Sequence, residues 1–531
     1  MGWQFWVLEA QFVFLLIATI VEAPRLYIKR LTLVGGCVLA VCTWMLTATL
    51  PPRTNRIYYD EHIYQSVGRN LSDLHRAQMC NEGIVEYGRL QCTQGEYNKE
   101  PYGYPYLLSL VYRVAGASDT VAFRFNNFLA GLAVFVTIVL ADLLFADARI
   151  ALLSGLVLGL LPMQLQWSNT AASEPTAALF CAASMVAAVH FAQARTTSAL
   201  VWMIAVATFA MSTRPECVLI APLIAITILM LSPHEFVTKR LWLGALGGLV
   251  AASVSVLHMI AVQNDGWGSI GAVPISWHHA VRNVPVNLRF FFWDERFPTL
   301  CGIAAVAGAF AAGTLRARAV LVAYFLTFWT IFVFFYAGSY NYGADVRYSL
   351  MAYVPVAILA AAGLLRLGNL SSALLRRPWT NWQVFAAIVV VVLAQFLWYA
   401  PLVRATGEEA WGARADVKYA REFAARLPPN SLVLTHNPGM FHLWNVSAAQ
   451  MSVARTDPRH AQQLFSRFAG GVYLHWNFWC NVSDPVQRGF CRSALDGYVH
   501  ELVDSRRERT YEYALYRLQG PALPRIPDIP K

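Results

Sequence analysis

The side chains that could do chemistry in this 531-residue chain sit at the ends of apolar runs. Asp60 and Glu61 follow the first well-defined run, and Lys99 and Glu100 lie in a Tyr/Pro-rich stretch of the same loop. Glu174 opens a later run, Arg214, Pro215 and Glu216 separate two short ones, and Asp345, Arg347 and Tyr348 open another. A positioned carboxylate can take a proton from an attacking hydroxyl. Guanidinium and ammonium groups can bind a phosphate and stabilise it as it leaves. Each residue also has a plainer reading. Asp60 and Glu174 can simply start helices, Lys99 can snorkel from an interfacial aromatic belt, and Arg214 and Arg347 can pair with Glu216 and Asp345. The sequence has no P-loop, dinucleotide fingerprint, His-Glu-x-x-His motif or serine nucleophile elbow. His278, His279, His436 and His442 are scattered without metal-ligand spacing, so no metal site is expected.

Those residues must be positioned by membrane helices. Hydrophobic residues make up 57% of the chain and charged residues only 14%, where a soluble domain carries about 25%. This excludes a cytosolic enzyme, a disordered chain and a disulfide-stapled mini-protein. Runs long enough to cross a bilayer fall near 31–50, 121–145, 150–168, 174–193, 198–213, 217–232, 241–262, 299–315, 319–337, 348–366 and 383–402. Residues 198–213 and 217–232 read as a pair broken at Arg214-Pro215. The stretch 3–21 is a twelfth span or an interfacial helix. The expected fold is an all-α polytopic membrane protein of about 11–12 spans with a small C-terminal α/β soluble domain. Residues 1–30 form the apolar N-terminal segment, 31–402 the membrane domain with an outer loop at 51–120, and 403–531 the soluble domain.

The net charge of +10 belongs to topology rather than to nucleic acid. Arg25, Lys29, Arg30, Arg149, Arg195, Lys239, Arg240, Arg316, Arg318, Arg366, Arg376 and Arg377 all fall in alternate connections, which the positive-inside bias makes cytoplasmic. The loop 51–120 and the segment from 403 onward then face outward. Cys80, Cys92, Cys480 and Cys491 lie on that same side, in two closely spaced pairs. Two short-loop disulfides in an oxidising compartment account for them, against four unpaired thiols. In the C-terminal segment, helices are expected at 414–427 and 491–504 and strands at 431–435, 472–479 and 511–518. The aromatic and basic strip within 263–298, with Trp267, Trp277 and Arg289 through Trp293, suits a lipid interface.

The ordered motifs Tyr58-Tyr59-Asp60-Glu61, Lys99-Glu100-Pro101, Ser173-Glu174-Pro175, Thr213-Arg214-Pro215-Glu216 and Arg347-Tyr348 resemble the C-type fold of integral-membrane glycosyltransferases. The branch resembled is that of protein O-mannosyltransferases and lipid A aminoarabinose transferases. In the aminoarabinose branch the acid of the loop motif precedes the lysine, whereas here Lys99 precedes Glu100. The resemblance implies metal-independent transfer of a sugar from a polyprenyl-phosphate donor to a glycan, lipid or protein hydroxyl at the outer face of a membrane. The donor is a substrate, so no cofactor is expected. Asp60 is the expected general base. Glu174 orients the acceptor or steadies the oxocarbenium-like state, and Lys99, Arg214 and Arg347 hold the donor phosphate. Glu61, Glu100 and Tyr348 are accessory. A single base without a covalent nucleophile implies inversion. The expected location is a bacterial inner membrane, with the lipid bilayer as partner and no nucleic acid. A secondary transporter and a non-catalytic membrane scaffold are the alternatives.

The topology has a direct test. A periplasmic-type reporter fused after Ala400 should be active only outside the cell, and activity of a cytoplasmic reporter at that point would invert the whole arrangement.

Overall fold

The computed structural model describes residues 2–98, 100–262, 273–311, 315–374, 379–453 and 458–521. Lys99, Trp267, Arg376 and Arg377 lie outside the described residues, as does the tail from 522. The membrane part runs α1 (Gly2–Glu22), α2 (Arg30–Thr49), the loop helices α3 (Asp60–Leu74) and α4 (Gly103–Ala115) flanking a hairpin of β1 (Met79–Glu86) and β2 (Arg89–Glu96), then α5 (Asp119–Phe145). It continues through α6 (Ala148–Leu160), α7 (Pro162–Trp167), α8 (Glu174–Ala194), α9 (Thr197–Met211), α10 (Ile220–Leu231), α11 (Lys239–Ala261), α12 (Trp277–Trp293), α13 (Thr299–Ala309), α14 (Leu315–Phe334), α15 (Leu350–Leu374) and α16 (Asn381–Arg404).

Among the described residues, eight helices are long and apolar enough to cross a membrane, and four shorter apolar ones accompany them. Helix α1 is one of the eight. It packs as a span, with Gln11 donating to the Ala251 carbonyl at 2.8 Å and Trp202 donating to Thr19 Oγ1 at 3.0 Å. The outer faces of α2, α11 and α16 leave Val38, Val41, Leu243, Leu246, Leu249, Val390 and Leu397 exposed. A surface so continuously apolar needs lipid rather than water, and this is a multi-pass membrane protein. Exposed tryptophans mark both ends of the bundle, Trp242, Trp379 and Trp382 at one and Trp3, Trp6, Trp293 and Trp398 at the other, as interfacial belts do.

Two of the expected spans are cut short. Residues 150–168 do not form one helix, because Leu161 before Pro162 adopts an extended conformation and α6 stops there. A residue preceding proline is disfavoured in the helical region. The run at 299–315 is helical only to Ala309, about 16 Å of rise. Helix α13 compensates by packing tightly on α15. A Cβ on Gly308 would run into the Leu359 carbonyl, and one on Gly363 into the Ala304 carbonyl, so small residues let these backbones touch. The expected break between α9 and α10 is present, as a short 3-10 turn at Pro215–Leu219.

Hydrogen bonds sort the connections into two ends. At one, Arg25 reaches Ser198, the Lys29 amide reaches Asp142, Arg240 reaches the Arg195 carbonyl, and Arg366 reaches the Phe310 carbonyl. This end gathers the basic loops. At the other, Asn169 donates to Pro51, the Gly103 amide to Ser212, and Gln166 to Leu402.

The C-terminal part begins with α17 (Trp411–Ala424) and continues with β3 (Ser431–Thr435), α18 (Pro438–Leu443), β4 (Ser447–Gln450), α19 (Pro458–Arg467) and β5 (Gly471–Trp476). It closes with α20 (Pro485–Asp496), β6 (Tyr498–Glu508) and β7 (Tyr511–Pro521). The helix expected over 491–504 is instead α20 followed by strand β6. Asp484 caps α20 through the Val486 amide at 2.9 Å. The helix ends at Gly497, and the next eleven residues form β6, all but Val503 of them paired with β7. Long-range pairing outweighs a weak local helical pattern.

The sheet is larger than the segment from 403. Its seven strands run β2-β1-β4-β3-β5-β7-β6, so the hairpin of the first loop extends its edge. Glu82 and Gly83 pair with Ala449 and Ala448, and Gly83 lets the backbone pass His442, whose ring a Cβ would strike. Cys80 is bridged to Cys92 across that hairpin, and Cys480 to Cys491 ties α20 back to the turn after β5.

Buried Arg69 of α3 clamps the two parts together, donating to the His442 carbonyl, to Gly88 O at 3.0 Å and to Asn445 Oδ1 at 2.9 Å. Arg69→Ala should leave these acceptors unmatched in the interior and destabilise the chain by about 1–3 kcal/mol. Thermal unfolding in detergent together with faster proteolysis of the 79–96 hairpin would report it, and an unchanged cleavage rate would show that the clamp is dispensable.

Candidate active site

Three helix starts meet at the end of the bundle opposite the basic loops. Glu174 begins α8 with Pro175 behind it and is fully buried. One of its oxygens, Oε1, accepts from Arg214 Nη1 at 2.8 Å and from Arg347 Nε at 2.7 Å. Ser173 Oγ accepts from the same Arg214 Nη1 at 3.0 Å. Arg214 also pairs with Glu216, and Arg347 lies 3.4 Å from Asp345. The simple ion pairs expected for the two arginines therefore exist, but Glu174 joins both pairs into one cluster. A buried carboxylate needs such partners to remain charged.

Tyr348 forms the floor. Its ring stacks on Phe332 at 4.4 Å, with Arg347 4.4 Å and Arg214 5.6 Å from its centroid. Guanidinium groups above an aromatic face gain from its quadrupole. The Tyr348 hydroxyl also accepts from Arg347 Nη2 at 2.9 Å.

Above the cluster lies a cavity of about 590 Å³. Asp60, Glu100, Arg214, Glu216, Asp345 and Arg347 line its polar wall, and Met259, Ile275, Phe332 and Phe335 its apolar wall. The cavity shares Leu219, Ile275 and Ile331 with an apolar groove that runs along α14 past Leu326 and Thr330. A polar head chamber leading into an apolar side groove matches the shape of an amphiphile, with charge at one end and hydrocarbon at the other.

Asp60 is the first residue of α3, and the cap position belongs to Tyr59, with no side-chain cap hydrogen bond. The capping reading thus does not account for Asp60, which faces the cavity. Glu61 turns the other way and is fully buried. Its Oε1 accepts from the amides of Arg56 at 2.6 Å and Ile57 at 3.1 Å, and its Oε2 from the amide of Ala171 at 2.7 Å. It latches the loop before α3 to the loop before α8. Burial pushes the Glu61 carboxyl up from its ordinary value of 4.5 to about 7, against three amide donors that favour the charged form.

Of the residues expected to act, Asp60, Glu100, Arg214, Arg347 and Tyr348 converge on the cavity. Glu174 lies behind it, in contact with both arginines but absent from its lining. Phe332, which carries Tyr348, has no signal in the sequence beyond its place in an apolar run. Helix α12 holds the cavity rim, with Asn287 donating to Gly338 O and accepting from the Tyr340 amide, both at 2.9 Å. Among the described residues, the one metal-like cluster is His436 with Cys480 and Cys491, and these two sulfurs are joined to each other.

Comparison with known proteins bears on the fold. A family model described as dolichyl-phosphate-mannose-protein mannosyltransferase matches residues 99–258, a stretch holding Glu100, Glu174, Arg214 and Glu216. ArnT from Cupriavidus metallidurans, solved bound to undecaprenyl phosphate and in the apo state, superposes with a TM-score of 0.55 over 91% of this chain and 97% of that one, at 15% identity. The chain has an ArnT-like fold. No curated protein matches it. The branch resembled by the sequence motifs is the one to which both comparisons point.

The Glu61 latch makes a pH-dependent prediction. A carboxyl whose pKa rises on folding keeps a proton that the unfolded chain has lost, so its stabilising contribution is full below about 4.5 and is lost as pH rises through about 7. Glu61→Gln should remove that slope. It should also cost about 1–3 kcal/mol at neutral pH, because one amide oxygen cannot accept all three bonds and its NH₂ opposes a donor. Thermal unfolding of both proteins between pH 4 and 8 checks both effects.

Proposed function

We propose that this chain is a membrane glycosyltransferase that moves a sugar from a polyprenyl-phosphate donor to an acceptor hydroxyl at the outer, periplasmic or lumenal, face. The observation that carries this reading is the cavity that has Asp60 and two arginines in one wall and an apolar groove leading out of it. The undecaprenyl phosphate bound by the solved ArnT is an amphiphile of the required shape. The polyprenyl chain occupies the groove along α14, and the phosphate sits at the headgroup level beside Arg214 and Arg347.

Asp60 accepts the proton of the attacking hydroxyl as the new glycosidic bond forms. The bond between the anomeric carbon and the phosphate oxygen breaks, and the electron pair leaves with the phosphate. The two guanidinium groups stabilise that anion, so no separate acid is needed. Binding is competitive with the protein's own carboxylates, because Arg214 and Arg347 already hold Glu174, Glu216 and Asp345. Glu174 acts as a positioning residue that aims both arginines. Lys99 would add a further charge on the phosphate. With one base and no covalent intermediate, the anomeric configuration inverts.

Purified protein supplied with undecaprenyl- and dolichyl-phosphate sugars gives the test. Asp60→Asn should bind the lipid phosphate normally yet lose at least about a hundredfold in turnover. Arg347→Ala and Arg214→Ala should lose lipid-phosphate binding as well as turnover, since they act in the ground state too. Transfer by Asp60→Asn at near wild-type rate would remove it as the base.

A further inference from the structure

A second cleft opens beside the donor cavity. It holds about 240 Å³ and lies between the loop at 342–344 and the start of the C-terminal part. Tyr58 and Ala344 line both cavities, and Asp60 is two residues from Tyr58. Whatever occupies this cleft is therefore next to the proposed base.

Its walls are aromatic. Trp411 and Tyr511 lie 4.8 Å apart, Tyr511 and Phe478 5.8 Å, and Phe478 and Tyr58 5.3 Å, so four rings form a continuous row. Tyr342 and Tyr58 remain 66% and 44% exposed. Rings held in the open at the junction of two parts of a protein are not explained by packing. The rest of the lining is the small residues Gly343, Ala344, Ala410 and Gly412 and the carboxylates of Glu408 and Glu409. Glu409 is held by Arg56, and Glu408 lies 2.7 Å from Arg509. Arg509 in turn sits 4.5 Å from the Trp411 ring centroid. Gly412 contributes by absence, since a Cβ there would press on Phe478 at 2.8 Å.

We infer that this cleft is a saccharide subsite for the acceptor, which makes the acceptor a glycan or the sugar headgroup of a glycolipid rather than a protein side chain. This rests on the glycosyl-transfer reading above. Aromatic faces take the C–H face of a pyranose ring, and the carboxylate of Glu409, held by buried Arg56, accepts its hydroxyls. The guanidinium partners of Glu408 and Glu409 offset their charge, which disfavours an amine.

The test uses the full chain in lipid nanodiscs and saturation-transfer NMR. The probes are methyl α-mannopyranoside, methyl α-glucopyranoside and a Ser/Thr-containing hexapeptide. The expected result is transfer to the ring C–H protons of a pyranoside and none to the peptide. Trp411→Ala and Tyr342→Ala should each reduce that transfer by at least about threefold, while Trp411→Phe keeps most of it. Tyr342 is exposed in a loop, so its variant folds even if Trp411→Ala does not. No transfer to either pyranoside, transfer to the peptide alone, or signals unmoved in Tyr342→Ala would each overturn the inference. The measurement needs neither donor nor turnover. A chain that binds pyranosides but transfers no sugar fails the glycosyl-transfer reading, and one that transfers sugar but ignores pyranosides fails only the subsite.

Discussion

The buried carboxylate of Glu174 is the constraint on which the active end of this protein depends. One oxygen holds two guanidinium groups, from the break between α9 and α10 and from the turn before α15. Three segments far apart in the chain are thereby fixed to one atom. Burying three charges in an apolar bundle is costly, and removing one partner of such a set typically costs about 3–5 kcal/mol. Glu174 also sits in the first turn of α8, where the helix dipole favours an anion. Stability alone would be served as well by leucines. On the proposed reading, the charges present two arginines to the donor phosphate with their orientation already set.

A second set of contacts holds the opposite wall. Helix α3 carries Asp60 outward and Glu61 inward, and neighbouring residues on a helix point about 100° apart. Glu61 ties the helix start down to the membrane bundle through Ala171. From above, Tyr59 donates to Asp416, Arg56 reaches Glu409, and Arg69 grips the turn after α18. Asp416 lies 3.0 Å from the fully buried His475 at the centre of the sheet. The proposed base is thus set between two bodies, and the soluble part is a structural component of the active end. The hairpin of the first loop, annealed to the edge of the sheet, fastens the same assembly.

This arrangement separates the tasks that lipid and water impose. On the proposed reading, hydrocarbon is met by α14 and its groove, charge by the polar cavity at the bundle end, and the aqueous partner by the junction under the C-terminal part. The cavity shares lining residues with the groove on one side and with the cleft on the other, and Asp60 lines the cavity that joins them.

Much of this was legible in the sequence. Apolar length set the spans, because a helix in lipid must satisfy its own backbone and needs about 20 residues to cross. Alternating basic loops sorted the connections, and the structure gathers those loops at one end. Asp60, Arg214 and Arg347 stood out because charge at the end of an apolar run is expensive to keep. Other features were decided by tertiary structure. The stop at Leu161 before Pro162 is local, yet it hides inside a continuous apolar run. Strand β6 reads as part of a helix until β7 is present to pair with it. The addition of the 79–96 hairpin to a sheet more than 300 residues away leaves no periodic trace at all. Nor does residue type alone separate Asp60, the expected base, from Glu61, since adjacent carboxylates have the same chemistry. Only the packing of α3, which offers one of them a cavity and the other three buried amides, gives them different work.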